Sequence, residues 1–161
     1  IDLYSASKKS FISFMEYYSK YKNIECAEII LYGTYGSDDK RCKLLDYLII
    51  SAINGNKIET SPGDQKLNLV DIDDVVKNIS DVSIKYNFEI FRRISICSSN
   101  EYSVKELVSM ISEMCDINID SHFGAKPYRE VELMNPRYLN DSIIIDCKLP
   151  QYIKQELLKV D

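Results

Sequence analysis

Residues 26–32, C-A-E-I-I-L-Y, form the apolar stretch that decides the fold of this chain. A short apolar run that ends at a glycine, here Gly33, is typical of a strand buried on both faces of a parallel sheet. Residues 91–97, F-R-R-I-S-I-C, form a second run of this kind. Helical patterns over residues 3–22 and 40–54 flank the first run. Because strands alternate with helices, the sequence predicts an α/β fold with a parallel sheet.

The predicted helix over residues 3–22 is amphipathic, because apolar and aromatic side chains recur at spacings of three and four. Its shared face holds Leu3, Ser7, Phe11, Phe14, Tyr18 and Tyr21. Three further helices are predicted, over 73–86, over about 103–115 and over 150–159, and the second of them begins at a capping box formed by Ser103 and Glu106. Short strands are predicted over 57–60, 67–72 and 117–123.

Two buried strands do not form a self-sufficient parallel sheet, since such a sheet needs partners on both faces. The chain also begins at Ile1, without a methionine. We therefore expect that part of the fold lies outside this sequence or is supplied by another chain.

The composition is that of a soluble globular protein, with 161 residues, 45% hydrophobic and 28% charged. The net charge of −5 argues against a nucleic-acid binder. No apolar run is long enough to insert into a membrane. The five cysteines are scattered singly, without a C-x-x-C, so the pattern predicts no metal site and favours reduced thiols in the cytoplasm.

Tyr4 and Lys8 form the strongest candidate for chemistry. Residues four apart share one helix face, and an ammonium beside a phenol favours the phenolate. A tyrosine in such a pair can move a proton to or from a sugar or alcohol hydroxyl. Tyr18 and Lys22 repeat the spacing, but Tyr4 is followed by small residues that let a cofactor or a partner helix approach closely.

The string Y-S-A-S-K-K-S-F over residues 4–11 resembles the catalytic helix of the extended short-chain dehydrogenase/reductase family, which includes NAD-dependent nucleotide-sugar epimerases, dehydratases and 4-reductases. Four further strings resemble that family in order and spacing: I-L-Y-G-T-Y-G-S-D-D (30–39), S-P-G-D-Q-K-L-N-L-V-D-I-D-D-V-V (61–76), S-S-N-E-Y-S-V-K-E-L (98–107) and F-G-A-K-P-Y-R-E-V-E (123–132). The chain resembles the C-terminal half of such an enzyme.

The resemblance implies the C-terminal part of a Rossmann-like doubly wound fold and a small α/β substrate-binding subdomain, with the N-terminal dinucleotide-binding half absent. The resemblance treats residues 1–161 as one C-terminal portion of such an enzyme. Residues 1–33 and 71–98 of it would contribute to the Rossmann-like core. Residues 34–70 and 99–161 would form mainly the substrate-binding subdomain.

The resemblance also implies which residues meet the cofactor, NAD or NADP. Tyr4 would be the acid/base at a sugar hydroxyl, and Lys8 would hold the nicotinamide ribose. Tyr32, at the end of the first predicted strand, would contact the cofactor as well. These three residues would therefore surround the reacting groups.

The substrate implied by the resemblance is a nucleoside-diphosphate sugar. Gly33 and Tyr35 would lie on the substrate side, and Lys66 and Arg129 could neutralise the diphosphate. Core packing is an equal alternative for Tyr35, and a plain surface position is the alternative for Arg129.

Three positions depart from the family pattern. Gly33 stands where the family usually has a substrate-contacting Asn, Leu67 stands where an Arg commonly meets the phosphates, and Asn68 replaces the Asp that follows. These changes put the binding of phosphate by this loop in doubt. His122, the only histidine, is interpreted as a structural or surface residue, and Asp73–Asp74 as helix-capping residues.

Two classes of function remain open at this point. In the first, the chain is a fragment of a nucleotide-sugar-modifying oxidoreductase for surface polysaccharide precursors, namely an epimerase, a dehydratase or a 4-keto reductase, and is inactive alone. In the second, it is a non-catalytic sugar-nucleotide-binding module or a subunit that completes another chain. The apolar face of the helix over 3–22, together with the resemblance, predicts a homodimer through that helix.

Overall fold

The computed structural model describes residues 3–37, 41–85 and 91–159. Its elements are α1 (Leu3–Lys22), β1 (Ala27–Leu31), β2 (Thr34–Tyr35), α2 (Leu44–Ile53), β3 (Ile58–Thr60), β4 (Lys66–Asn68), β5 (Val70–Asp71), α3 (Ile72–Lys85), β6 (Arg92–Ser98), β7 (Glu101–Ser103), α4 (Val104–Cys115), β8 (Ser121–Phe123), β9 (Ser142–Ile145) and α5 (Leu149–Leu158). The helix predicted over 40–54 begins only at Leu44, since residues 41–43 are not helical. Positions 40 and 86, where two predicted helices begin and end, lie outside the described residues. The predicted α/β class with a parallel sheet is confirmed.

Three parallel strands form the largest sheet, in the order β1-β6-β9. Ile29 lies opposite Ile94 in the β1–β6 register, and Ser95 lies opposite Ser142 in the β6–β9 register. The sequence predicted only the first two of these strands. The run S-I-I-I of β9 is too short for its periodicity to distinguish a strand from a loop, whereas its pairing with the buried strand β6 settles its conformation.

The outer edge of β1 has no neighbouring strand among the described residues. An unpaired strand edge presents a row of backbone N–H and C=O groups that can accept a further strand. The expectation that another segment or chain completes the sheet therefore stays a prediction.

Two hydrophobic cores hold the elements together. The larger core packs α2, α4 and α5 around fully buried side chains, among them Leu48, Ile58, Leu107, Ile111 and Ile153. The smaller core lies between α3 and the sheet, where Val75 packs near Ile96 and Val82 near Ile94. Strand β9 belongs to the sheet although it comes from the segment 99–161, which was expected to form mainly the substrate-binding subdomain.

Several helices begin or end at the residues where the sequence predicted, because of local backbone conformation and hydrogen bonds. Asn23 follows α1 in the left-handed region, with φ of 52°. Ser103 Oγ accepts from the Glu106 amide at 3.1 Å, and the Glu106 carboxylate accepts from the Ser103 amide at 2.6 Å, which completes the capping box. The Asp71 carboxylate accepts from the Asp73 amide at 2.9 Å at the start of α3.

Asp74 has a partner that the sequence did not predict. Its carboxylate lies 2.7 Å from the ammonium of Lys148, the residue that precedes α5. The carboxylate therefore joins two helices in addition to lying in the first turn of α3, where it complements the helix dipole.

Helix α1 stands apart from both cores. Ser19 is the buried residue of this helix, whereas Phe11 and Phe14 expose 62% and 60% of their surface. The apolar face predicted for this helix is thus exposed on the described chain. None of the described helices is long and apolar enough to cross a membrane.

Candidate active site

A cleft of about 570 Å³ opens beside the N-terminal end of α1. It brings together three residues that the sequence predicted as site residues, Tyr4 from α1 and Tyr32 and Gly33 from the end of β1. Ligand sites of parallel α/β folds lie outside the carboxyl ends of the strands, and this cleft is at such an end.

Tyr4 also lines a second cavity, of about 530 Å³, which runs along α1 and which we call the α1 groove. Ser5, Lys8 and Glu16 of the same helix lie in it, together with Arg93 of β6. The ammonium of Lys8 lies 5.6 Å from the centroid of the Tyr4 ring. The predicted pair is therefore together on one helix face, and Tyr4 stands where the two cavities meet.

Tyr32 lines the cleft and is bonded to a segment far along the chain. Its hydroxyl donates to the backbone carbonyl of Arg137 at 2.7 Å. Its ring packs edge-on against the ring of Tyr138, with the centroids 5.0 Å apart. The side chain is thus held from behind by the segment between β8 and β9.

Gly33 occupies its position because of close packing. A Cβ atom there would lie 2.8 Å from Leu69 Cδ2 and 3.1 Å from the backbone oxygen of Asn68. The asparagine that is usual in the resembled family would not fit without a shift of this neighbouring segment. Glycine is therefore explained by packing, and its predicted contact with substrate stays a prediction.

Arg41 and Lys43 line the cleft and were not predicted from the sequence. The ammonium of Lys43 lies 3.3 Å from both the backbone oxygen and the hydroxyl of Thr34. The segment K-R-C-K over residues 40–43 immediately precedes α2. A basic cluster at a helix start is the signal that could have identified these cations, because an anion bound there also meets the positive end of the helix dipole.

Lys66, which was predicted to meet the diphosphate, is engaged elsewhere. Its ammonium lies 2.6 Å from the carboxylate of Glu106. The hydrogen bond from Lys66, followed by those from Ser103, lowers the pKa of Glu106 to about 2. Arg129 is exposed on the segment after β8 and does not line the cleft. The structure does not bring either cation together with Tyr4, and their roles stay predictions.

Tyr35 lies in the larger core and not in the cleft. It exposes 6% of its surface, and its ring centroid lies 4.7 Å from that of Tyr152. Burial, with a smaller contribution from the Asp71 carboxylate, raises the pKa of Tyr35. This placement favours the core-packing alternative over contact with substrate.

Leu67 and Asn68 separate in the structure. Leu67 lines the cleft as an apolar wall. Asn68 is buried, and its side chain bonds to the backbone of Ser98 instead of reaching the cleft. The presence of Asn in place of Asp at position 68 therefore affects hydrogen bonding inside the protein, and Asn68 does not reach the cleft to bind phosphate.

His122 is exposed on β8, in register with Glu59 of β3, and does not line the cleft. Within residues 3–37, 41–85 and 91–159, no three His, Cys, Asp or Glu side chains converge in a way that could hold a metal ion.

Comparison with known proteins places this geometry in context. The chain is 38% identical over 162 residues to CDP-abequose synthase of Yersinia pseudotuberculosis, and the match covers 99% of this chain and 56% of that protein. No protein-family model matches the chain. The chain thus spans about half the length of this relative.

Solved structures share the fold at low sequence identity. RMD from Pseudomonas aeruginosa complexed with NADPH superposes with a TM-score of 0.75 at 14% identity, over 98% of this chain and 55% of that one. UDP-N-acetylglucosamine 4-epimerase from Methanobrevibacter ruminantium, in complex with UDP-N-acetylmuramic acid, gives 0.74 at 15% identity, over 96% and 52%. The dTDP-glucose 4,6-dehydratase from Bacillus anthracis, in complex with NAD, gives 0.74 at 18% identity, over 97% and 46%.

These matches confirm the resemblance drawn from the sequence motifs. The sequence relative is named for the synthesis of a nucleotide-linked sugar, and the structural neighbours are Rossmann-fold enzymes that bind nucleotide sugars or nicotinamide cofactors. In each case the chain corresponds to about half of the longer protein.

Proposed function

We propose that this chain, which shares its sequence motifs and fold with the extended short-chain dehydrogenase/reductases, supplies the substrate-binding part of a nucleotide-sugar-modifying oxidoreductase. The reaction is epimerisation, dehydration or 4-keto reduction of a nucleoside-diphosphate sugar, in the synthesis of surface polysaccharide precursors. The observation that carries the proposal is the place of Tyr4, which lines both the cleft and the α1 groove.

From this place Tyr4 can serve two ligands at once. A sugar held in the cleft presents a hydroxyl to the phenol of Tyr4, which takes or gives the proton of that hydroxyl. Lys8 lies on the same helix face, 5.6 Å from the Tyr4 ring centroid.

The α1 groove suits the ribose of NAD or NADP. Lys8 offers hydrogen-bond donors there for ribose hydroxyls, and Ser5 lines the groove beside Tyr4. When bound, the nicotinamide supplies the hydride acceptor or donor. The chain's own contribution is to hold the ribose and the sugar hydroxyl on either side of the Tyr4 phenol.

Arg41 and Lys43 are the cations that would neutralise the diphosphate. Both line the cleft, and both directly precede α2, whose N-terminal dipole also favours an anion. Leu67 brings no charge to the cleft. The positive charge therefore comes from the segment before α2 in place of the position where the resembled family commonly has an Arg.

A non-catalytic sugar-nucleotide-binding module is the second candidate. Tyr4 exposes 71% of its surface on the described chain, whereas a proton-transfer group in a working active site is normally shielded from water. In this reading the chain binds the nucleotide sugar through the same cleft without turning it over.

We further propose a homodimer through α1 and a cytoplasmic location. The exposed phenyl rings of Phe11 and Phe14 form an apolar patch of the kind that marks an interface. The five unpaired cysteines suit a reducing compartment.

The proposal is tested by supplying the dinucleotide-binding half in trans. The chain is mixed with a separately produced dinucleotide-binding half of a related enzyme, with NAD or NADP and with CDP- and UDP-linked hexoses, and the nicotinamide absorbance is followed. Tyr4→Phe is the test variant. Tyr18→Phe is the matched control, because Tyr18 is also followed by a lysine four residues later on α1 but lies in neither cavity.

Turnover that falls by at least about 100-fold in Tyr4→Phe and persists in Tyr18→Phe supports the enzyme. Binding of a nucleotide sugar by calorimetry without turnover in any mixture supports the module. Absence of both binding and turnover contradicts both candidates.

A further inference from the structure

Asn68 is a buried amide whose orientation is set by backbone groups. It exposes 2% of its surface. Its Oδ1 accepts a hydrogen bond from Ser98 N at 2.8 Å, and its Nδ2 donates to Ser98 O at 2.9 Å. Exchange of the amide oxygen and nitrogen would bring two donors together at one contact and two acceptors together at the other.

The same Nδ2 donates a further hydrogen bond, at 3.0 Å, to the hydroxyl oxygen of Tyr138. This hydroxyl donates its single proton to the carboxylate of Glu101. Burial and the Glu101 carboxylate raise the pKa of Tyr138, so the hydroxyl keeps its proton at neutral pH. Donation therefore runs in one direction, from Asn68 to Tyr138 to Glu101, and we call these three residues the Tyr138 network.

The Tyr138 network reaches the cleft through Tyr32. The rings of Tyr32 and Tyr138 meet with their planes at 65° and their centroids 5.0 Å apart. The neighbouring backbone carbonyl, that of Arg137, accepts from the Tyr32 hydroxyl at 2.7 Å. Because Tyr32 lines the cleft beside Tyr4, a shift of residues 137 and 138 would move this part of the cleft wall.

We propose that the Tyr138 network consists of positioning residues that hold Tyr32 in the cleft wall, and that residues 68 and 101 have to match each other for this purpose. A carboxylate at position 68 would oppose the Ser98 carbonyl oxygen. It would also face a Tyr138 hydroxyl whose proton is already given to Glu101, so a buried acceptor would lack a donor. An amide at position 68 is therefore the counterpart of the carboxylate at position 101.

The positioning of Tyr32 stands on the contacts of the described residues alone. The effect on ligand binding rests on the proposed function of the cleft. The experiment therefore combines a readout of the Tyr32 ring with a separate measurement of affinity.

The first variant is Tyr138→Phe, which keeps the ring and removes the hydroxyl. Tyr128→Phe is the matched control: the Tyr128 hydroxyl accepts from Asp64 N at 2.9 Å, and the residue lies in the same segment between β8 and β9 but outside the cleft. Ring resonances of Tyr32 are followed by NMR of the whole chain with labelled tyrosine. The affinity for CDP and UDP is measured by calorimetry.

We expect Tyr138→Phe to shift the Tyr32 resonances and to weaken nucleotide binding, because a displaced Tyr32 changes the wall of the cleft. Tyr128→Phe should change neither quantity. Unchanged Tyr32 resonances in a folded Tyr138→Phe chain would overturn the proposal. A wild-type chain that binds neither nucleotide would instead contradict the proposed function, while the Tyr32 resonances still decide the positioning.

The second test reverses the direction of donation. Asn68→Asp should displace the Tyr32 resonances and lower the thermal midpoint of the chain. In Asn68→Asp/Glu101→Gln the new amide can donate to the Tyr138 oxygen, and the Tyr138 proton can go to the new carboxylate. We expect the double variant to bring the Tyr32 resonances part of the way back to their wild-type positions and to recover part of the thermal midpoint. A double variant that is no better than Asn68→Asp alone would show that positions 68 and 101 are not matched.

Discussion

The backbone amide of Val70 donates to the carbonyl oxygen of Gly33 at 3.0 Å, which joins the segment after β1 to β5. This bond brings the two segments so close that a Cβ on Gly33 would lie 2.8 Å from Leu69 Cδ2. Close packing under the cleft thus explains a glycine where the resembled family usually has an Asn, and the predicted contact of Gly33 with substrate stays a prediction.

Gly33→Ala should therefore destabilise the chain. Overpacking of a close contact of this kind typically costs about 1–3 kcal/mol of the free energy of unfolding, which urea denaturation measures. In Gly33→Ala/Leu69→Ala the shortened side chain leaves room for the new methyl group, so the combined loss should be smaller than the sum of the two single losses. Strict additivity would mean that the two residues do not compete for space.

Lys43→Gln should weaken the binding of a nucleoside diphosphate about tenfold, since it removes one charge-assisted contact with the phosphates. The loss should shrink as salt concentration rises. Lys105→Gln is the control, because Lys105 is paired with Asp64 at 2.6 Å and lies outside the cleft. Calorimetric titration with CDP measures both variants. A larger loss in Lys66→Gln than in Lys43→Gln would favour the original prediction from the sequence.

The capping carboxylate of Glu106 should make stability depend on pH in the acid range. The hydrogen bond from Lys66 lowers its pKa to about 2 in the folded chain, whereas the unfolded value is close to 4.3. A lowered folded pKa contributes stability that is fully present above the unfolded pKa and is lost as pH falls toward the folded pKa. The difference in free energy of unfolding between wild type and Glu106→Gln should thus be constant above about pH 5 and should narrow toward pH 2. A difference in free energy of unfolding that stays constant down to pH 2 would show that the pKa of Glu106 is not lowered in the folded chain.

Phe14→Glu should convert a dimer of the chain into a monomer. The side chain lies on the exposed apolar face of α1, and a charge placed in the centre of an interface between two such faces would be buried without a partner. Val131→Glu, at an exposed position away from α1, is the control. Sedimentation equilibrium measures the mass of each variant, and a monodisperse wild-type monomer at micromolar concentration would count against the dimer.

Helices α1 and α4 could be predicted closely because their signals are local, whereas α2 begins later than its predicted start. The periodic face of α1 and the stop at Asn23 matched the predicted span, and the Ser103–Glu106 capping box opened α4 where expected. Strand β9 could not be predicted, since a run of four residues, one serine and three isoleucines, acquires a defined conformation only by pairing with β6.

The candidate site was predicted in part. Tyr4 and Lys8 share a helix face at a spacing that is visible in the sequence, and Tyr32 and Gly33 directly follow a recognisable strand. Arg41 and Lys43 reach the same cleft from another element, and no local pattern indicates which cations a fold will bring beside a tyrosine distant in the chain. Lys66 does not line this cleft and is paired with Glu106, and its role at the diphosphate stays a prediction.

The sequence by itself determined the α/β class, the limits of α1, the start of α4 and the position of Tyr4 and Lys8 on one helix face, because periodicity, capping and an i, i+4 spacing act over a few residues. Only the tertiary structure decided that Tyr4 lies between two cavities, that Tyr35 is buried against Tyr152, and that Asn68 serves the Tyr138 network. These outcomes depend on contacts between segments far apart in the chain, where close packing and the need to satisfy each buried polar group select one arrangement.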